Sequence, residues 1–355
     1  MATIKPGVVT GEDYANLVEA CKKGGYALPA VNITDVNTLN AALEAAASTK
    51  SDIIIQMSNG GAGFFGGPAL GDLSAKVKGA VSAARHVHLM AEDYGVAVVL
   101  HTDHANRKLL PWVDGMMDYN EAAKKETGKP LFSSHMIDLS EEPIDENIGT
   151  CVDYLKRMAV CDISLEIELG VTGGEEDGVG SDLEEGADNA HLYTQPEDVL
   201  QAYDALKDIG HFSVAASFGN VHGVYKPGNV KLRPEILINS QNLVAKERGT
   251  SKLPLHLVFH GGSGSEKEKI DEAVSYGVFK MNIDTDTQFA CAKGIGDYVD
   301  QHPEAFKYQI HPETGAPLKK LYDPRKWNRD VQKSMVARLD EAFRDLQSHG
   351  RSVCQ

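Results

Sequence analysis

Basic residues are scarce: 35 Lys and Arg stand against 51 Asp and Glu, a formal net charge of −16 over 355 residues. Nucleic acid is held by clustered Lys and Arg, so it is excluded as a partner. An anionic ligand would need local devices instead: a metal, helix N-termini or a few placed cations. Cysteine is also scarce, and Cys21, Cys151, Cys161, Cys291 and Cys354 are odd in number, widely spaced and form no CxxC. That spacing supports neither a disulfide framework nor a cysteine zinc knuckle. No run approaches the ~18 apolar residues that span a bilayer. The opening MATIKPGVVTGEDYA lacks the basic region and apolar core of a secretory leader. A cytoplasmic protein with no membrane partner is expected. No GxGxxG follows the first candidate strand and no GxxxxGK[ST] occurs anywhere, so the common nucleotide-binding loops are absent. Internal repeats, low-complexity tracts and interdomain linkers are missing too.

What is present is an ordinary globular composition, 42% apolar and 24% charged. Eight short runs rich in β-branched and aliphatic residues read as strands, at 26–33, 52–58, 96–104, 131–138, 163–170, 212–223, 255–262 and 278–286. Between them lie helical patterns such as VNTLNAALEAAAS and PEDVLQAYDALKDI, with apolar residues at three- and four-residue spacing. Strand and helix alternating eight times predicts an α/β fold, a (β/α)8 TIM barrel. Residues 1–355 are expected to form one barrel domain, with a C-terminal helical extension from about residue 300. A doubly wound open sheet is the architectural alternative.

The strands share a second property: each is apolar early and polar late. They end in Asn32, Ser58, Asp103 and His104, Asp138, Glu168, His222, His260, and Asn282 to Asp284. In a parallel barrel those ends form one rim, where barrel enzymes place their sites. Loops alone would also make strand ends polar, but would favour Lys, Ser and Gly over this surplus of His, Asp, Glu and Asn. Catalytic zinc takes three protein ligands and keeps one position open. His104, His222 and His260 close strands three, six and seven and supply such a set. His101 lies three residues before His104, so strand alternation predicts that only one faces inward, and His104 is nearer the rim. Asp103 beside it is an acid or a partner to the metal ligands, with a helix cap as the plainer alternative. Glu166 and Glu168 share a face, and buried carboxylates must be paired or metal-bound. Glu168 and Asp138 could hold a second cation, or be neutralised by lysine or hydrogen bonds.

Residues 170–190, GVTGGEEDGVGSDLEEGADNA, form a Gly-rich acidic loop without a basic residue. Such a loop can close as a lid, and Glu175 or Glu176 could bring a general base over a substrate. Asp182 to Asp188 read better as a solvated acidic stretch. Barrel enzymes bind phosphate with the loops after strands seven and eight. Here these are HGGSGS, containing Gly261, Gly262 and Ser263, and NIDTDT, containing Asp284 and Thr285. Their small residues can present backbone N–H groups to phosphate oxygens, and Lys226 adds a point charge.

These segments resemble the class II fructose-1,6-bisphosphate aldolases of the long subtype. PAVN, SNGG, HTDH, KLLPW, SSHMIDLSEE, LEIELG, TGGEEDG, YTQPEDV, SFGNVHGVYKPGNV, FHGGSGS, SYGVFKMNIDTDT and YDPRKW follow the family's order from about residue 26 to 340. The resemblance implies reversible cleavage of fructose 1,6-bisphosphate to dihydroxyacetone phosphate and glyceraldehyde 3-phosphate through a zinc-stabilised enediolate. By it, His104, His222 and His260 bind catalytic Zn2+. Glu176 is the proton-abstracting carboxylate, Asp103 the acid at the aldehyde, and Asn282 a support for the enediolate. Gly223, Lys226, Gly261, Ser263, Asp284 and Thr285 surround a phosphate, and Asn32 and Ser58 lie on the substrate side. Asp138 and Glu168 match a second divalent-metal site. Val221, Gly223 and Gly261 match a site for Na+ or K+. Arg325 corresponds to an arginine reaching the distal phosphate from a partner subunit, which implies a homodimer. Many relatives carry Cys where this chain has Ala105, a departure the mechanism tolerates.

Four other readings stand beside this one. Tagatose 1,6-bisphosphate differs from the fructose substrate at one stereocentre. A Schiff-base aldolase would use Lys280, leaving three rim histidines idle. A zinc hydrolase would have no use for the phosphate loops, and a non-catalytic partner subunit would not need Asp103, His104 and Glu176.

Overall fold

The computed structural model describes residues 4–176, 179–181, 193–222 and 232–354. Eight parallel strands close on one another: β1 (Leu28–Asn32), β2 (Ile53–Met57), β3 (Ala97–Thr102), β4 (Ser134–Ile137), β5 (Ser164–Leu169), β6 (Phe212–Ala216), β7 (Leu257–Phe259) and β8 (Val278–Asn282). Each pairs with its successor, and β8 pairs with β1 to complete the barrel. The expected (β/α)8 architecture is therefore present.

The two-residue alternation of a strand decides which side chains enter the barrel. In β5, Leu165, Ile167 and Leu169 pack outward beneath the helices, while Glu166 and Glu168 turn inward and are nearly inaccessible. The lower half of the interior is apolar, filled by Leu28, Ala30, Ile54, Ala97, Val99, Ala215, Val258 and Phe279. Helix α1 (Gly11–Gly24) plugs this end with Tyr14, Leu17, Val18 and Cys21, one stripe at helical spacing. Burying Leu17 and Val18 there contributes roughly 1.5–3 kcal/mol each. The helix stops at Gly25, whose left-handed φ of 64° lets its N–H close onto the carbonyls of Cys21 and Lys22.

The outer layer comprises α2 (Val36–Thr49), α4 (Leu73–Tyr94), α5 (Leu110–Thr127), α6 (Ile144–Val160), α7 (Pro196–Leu206), α8 (Glu235–Arg248) and α9 (Lys267–Ser275), one after each strand from β1 to β7. A short α3 (Asn59–Gly66) precedes α4. After β8 the helix that follows directly, α10 (Thr285–Gln301), does not complete the ring. That place is taken by α12 (Pro324–Asp345), which follows the short α11 (Lys319–Tyr322). Helix α12 packs on α2, α9 and α10 and sends Met335, Leu339, Ala342 and Phe343 into the main core. The segment read as an extension thus contains an integral helix of the barrel. Past it, the C-terminal tail crosses the entry to β2: Gly350 N–H donates to Thr49 O (2.9 Å). Ser352 Oγ and Val353 N–H donate to the buried Asp52 carboxylate at 2.7 and 2.8 Å.

Every strand is shorter than its periodic run, and two of the limits have a local cause. β4 starts at Ser134 because Asn120 Oδ1 accepts the N–H groups of Leu131 and Phe132, both at 3.0 Å. The run at 212–223 is divided, since β6 ends at Ala216 and Gly219 takes a φ of 93°. Asn220 holds the turn, accepting from Phe218 N–H at 2.8 Å and donating to His260 O at 3.0 Å. His222 consequently sits on a separate short strand, Val221–His222, which pairs with Gly173–Glu176 rather than closing β6. No helix among the described residues is long and apolar enough to cross a membrane.

Candidate active site

Because β3 ends at Thr102, alternation no longer governs the residues that follow, and His101, Asp103 and His104 serve different parts of one site. His101 points into the barrel, its Nδ1 2.7 Å from Ser134 Oγ. The expectation that only one of His101 and His104 faces inward fails for this reason. Asp103, fully buried, is caged by three side-chain amides. Gln56 Nε2 donates at 2.8 Å, Asn32 Nδ2 at 3.1 Å and Asn282 Nδ2 at 3.2 Å. It is not a helix cap; Asn106 fills that role, accepting from Lys108 N–H at 3.1 Å.

His104 leans over the rim with Nδ1 2.9 Å from Asp138 Oδ2 and 3.4 Å from Glu168 Oε2. Its ring lies 4.6 Å from that of His260 at 65°, and His260 Nδ1 is 3.5 Å from the same Glu168 oxygen. One ligand atom from each of Asp103, His104 and His260 falls within 4.8 Å of the others, as it does for His104, Asp138 and Glu168. Two imidazoles and clustered carboxylates are a donor set that fits a borderline divalent metal such as zinc. Beneath them, Glu166 Oε1 lies 2.9 Å from His260 Nε2. Lys280 Nζ donates to both Glu166 oxygens at 2.7 and 2.9 Å.

The charges are coupled accordingly. Burial alone would raise Glu166, yet Lys280, His101 and His260 hold it well below the usual carboxylate range. Burial lowers His101 far below an ordinary imidazole, and the Lys280 charge lowers it further. For His260 burial acts downward, but hydrogen bonds to Glu166 and Glu168 push it up to about 9. Burial would also raise Asp138, which the contacts with His104 and Ser140 bring down to about 2. A cation at this rim would meet ionised oxygens and would displace protons from imidazole.

The profile of the family described as "Fructose-bisphosphate aldolase class-II" matches residues 12–351. Fructose-bisphosphate aldolase from Haemophilus influenzae is 52% identical over 350 residues, covering 97% of this chain and 96% of the relative. Fructose-bisphosphate aldolase class 2 from Escherichia coli (strain K12) is 52% identical over 354 residues, with the same coverage of 97% and 96%. A crystal structure of fructose-bisphosphate aldolase from Campylobacter jejuni superposes with a TM-score of 0.89 at 50% identity, covering 99% of this chain and 98% of that one. The chain belongs to the class II fructose-bisphosphate aldolases.

In this class II aldolase the loops after β7 and β8 meet. Gly262 N–H donates to Asn282 O at 3.1 Å, and Ser263 Oγ accepts from Asp286 N–H at 3.3 Å. These contacts set the small-residue loop against the start of α10, where Asp284 precedes Thr285. Gly261 has a φ of 60°, and a Cβ there would lie 2.4 Å from Val221 O, so only glycine allows this approach to the Val221 backbone. Ser58 caps α3, accepting from Gly61 N–H at 3.1 Å. Arg325 is exposed at the start of α12 and pairs with Asp323 at 2.6 Å. Gly223 and Lys226 lie outside the described residues, as do the side chains of Glu175, Glu176 and His222. The backbone register nonetheless sets Val221 beside Gly173 and His222 beside Gly174, on the strand that ends in Glu176.

Three interior residues escape a search confined to strand ends: Gln56, His101 and Lys280 as a partner of Glu166. The signal for Gln56 was available, since it is the one polar side chain in IIIQM and shares parity with the inward Ile54.

Proposed function

We propose that this chain catalyses the reversible aldol cleavage of fructose 1,6-bisphosphate to dihydroxyacetone phosphate and glyceraldehyde 3-phosphate, as a lyase of glycolysis and gluconeogenesis. The observation that carries this reading is the convergence of His104, His260, Asp103, Asp138 and Glu168 on one rim, beside the two small-residue loops. His104 and His260, with His222, would hold Zn2+, which when bound supplies a Lewis acid to the oxygens of a ketose phosphate. Asp138 and Glu168 would accommodate a second divalent ion, and the Val221, Gly223 and Gly261 backbone a Na+ or K+.

Asp103 takes the proton from the C4 hydroxyl as the C3–C4 bond breaks, and returns it to the aldehyde oxygen in condensation. Its three amide donors hold the carboxylate in place without competing bases. Asn282, already donating to Asp103, helps hold the enediolate of the triose fragment. Glu176 exchanges the proton on the hydroxymethyl carbon of dihydroxyacetone phosphate. Gly223, Lys226, Gly261, Gly262, Ser263, Asp284 and Thr285 bind the phosphate of that triose, with Asn32 and Ser58 on the substrate side. Arg325 of a second subunit reaches the far phosphate, which makes the working form a homodimer. Each subunit is one barrel domain, acting on cytoplasmic substrates.

Lys280 is unsuited to Schiff-base chemistry, because an amine nucleophile must be neutral and this ammonium is ion-paired within the barrel. The test is coupled-assay cleavage by the purified chain before and after chelation, with zinc restored and a borohydride trap in parallel. Loss on chelation and recovery on zinc are expected. Activity that survives metal removal and is trapped covalently by borohydride would overturn the assignment. Faster cleavage of the tagatose bisphosphate would reassign the substrate alone.

A further inference from the structure

We infer that Glu166 and Lys280, inside the barrel below the rim, are positioning residues for the metal: they fix the His260 ring so that Nδ1 faces the ion. This inference rests on the reading of His260 as a metal ligand. Glu166 stands on β5, Lys280 on β8 and His260 just past β7, so the three contacts tie separate walls of the barrel together. The Lys280 and Glu166 side chains are each 2% exposed, and His260 1%.

The hydrogen-bond geometry determines the tautomer. A carboxylate that receives an ammonium through both oxygens is an acceptor only. His260 Nε2, 2.9 Å from Glu166 Oε1, must therefore donate. The lone pair available to a metal is then on Nδ1, the atom on the Glu168 side near the His104 ring. His101 supports the carboxylate from another direction, with Nε2 3.7 Å from Glu166 Oε2 while Ser134 holds its Nδ1. Lys280 thus has a task unrelated to covalent chemistry: it anchors the carboxylate that anchors the ligand. Stability alone is a weak reason for such a pair, since apolar replacements of similar volume are often neutral or stabilising. Removing the hydrogen-bonding partner of a metal-bound histidine, by contrast, typically weakens metal binding by about 10–100-fold.

The experiment compares two doubly substituted proteins with wild type. Glu166→Leu/Lys280→Met removes both charges and the acceptor, whereas Glu166→Gln/Lys280→Met removes the charges and keeps an acceptor oxygen for Nε2. Zinc affinity, measured by competition with a chelator, is expected to fall about 10–100-fold in the first and to recover most of that loss in the second. Thermal midpoints report whether both are folded. A folded Leu/Met protein with wild-type zinc affinity overturns the inference, as does a Gln/Met protein that binds no better than Leu/Met. Should neither fold, 15N-histidine NMR of the zinc-loaded wild type decides: Nε2 protonated with Nδ1 on the metal is expected, and zinc on Nε2 refutes it. His260→Gln separates the two levels. If that variant keeps full zinc affinity, the metal-site reading fails; if it loses zinc while Leu/Met does not, only the positioning role fails.

Discussion

His135 makes the protein sensitive to acid at a place remote from its chemistry. On β4 it is fully buried between Asn120 and Thr102, with Nε2 2.9 Å from Asn120 Nδ2 and Nδ1 2.7 Å from Thr102 Oγ1. Asn120 Oδ1 already accepts two backbone N–H groups, so its Nδ2 must donate to Nε2, and a second ring proton has no acceptor. Burial, with a smaller contribution from His101, lowers His135 to about 3. The folded protein therefore keeps this ring neutral while the unfolded chain protonates near pH ~6.5. Below that value the unfolded state binds more protons, so stability is full above it and is lost as pH falls toward about 3. At 1.36 kcal/mol per unit, the roughly 2.5 units between pH 6.5 and 4 correspond to about 3 kcal/mol. The assay is denaturant unfolding of wild type and His135→Gln from pH 7 to pH 4. The variant is expected to be the less stable at pH 7, having lost two buried hydrogen bonds, and the gap should close or reverse by pH 4. A difference between the two proteins that stays constant across that range would refute the reasoning, since other groups titrate in both.

Gln56→Met preserves volume and removes a charge-assisted hydrogen bond to Asp103, worth about 1.5–3 kcal/mol; a fall in kcat of roughly 10–150-fold, with zinc content unchanged, is expected in the cleavage assay. Gly79→Ala would place a Cβ 1.9 Å from Ala62 O and 2.7 Å from Gly66 N, forcing α4 away from α3; a loss of about 1–3 kcal/mol should appear as a lower thermal midpoint. Asp52→Ala leaves the buried Ala97 N–H and the tail groups of Ser352 and Val353 without their acceptor. It should cost a few kcal/mol and expose the C-terminus to carboxypeptidase, a change measurable by mass spectrometry.

Local sequence determined a large part of this molecule. Eight apolar runs alternating with helical patterns specify a parallel barrel because backbone hydrogen bonding and two-residue alternation leave few other ways to bury them. The parity of Glu166 and Glu168 in SLEIEL put both carboxylates inside before any contact was known. The polar residues at strand ends identified the rim, and Asp103, His104, Asp138, Glu168, His260 and Asn282 were all legible there. What remained hidden depends on closure. Which inward residues meet across a barrel is set by the register between strands, and no single strand encodes that register. Hence Gln56 and Asn32 cage Asp103 from β2 and β1, and Lys280 reaches Glu166 from three strands away. His101 entered the interior at the parity of Ala97 and Val99, and His104 joined it because β3 stopped at Thr102, an end fixed by pairing rather than by composition. For the same reason α12, and not the helix next in sequence, fills the gap beside α2: the site of packing is decided by which apolar face fits the space the barrel leaves open.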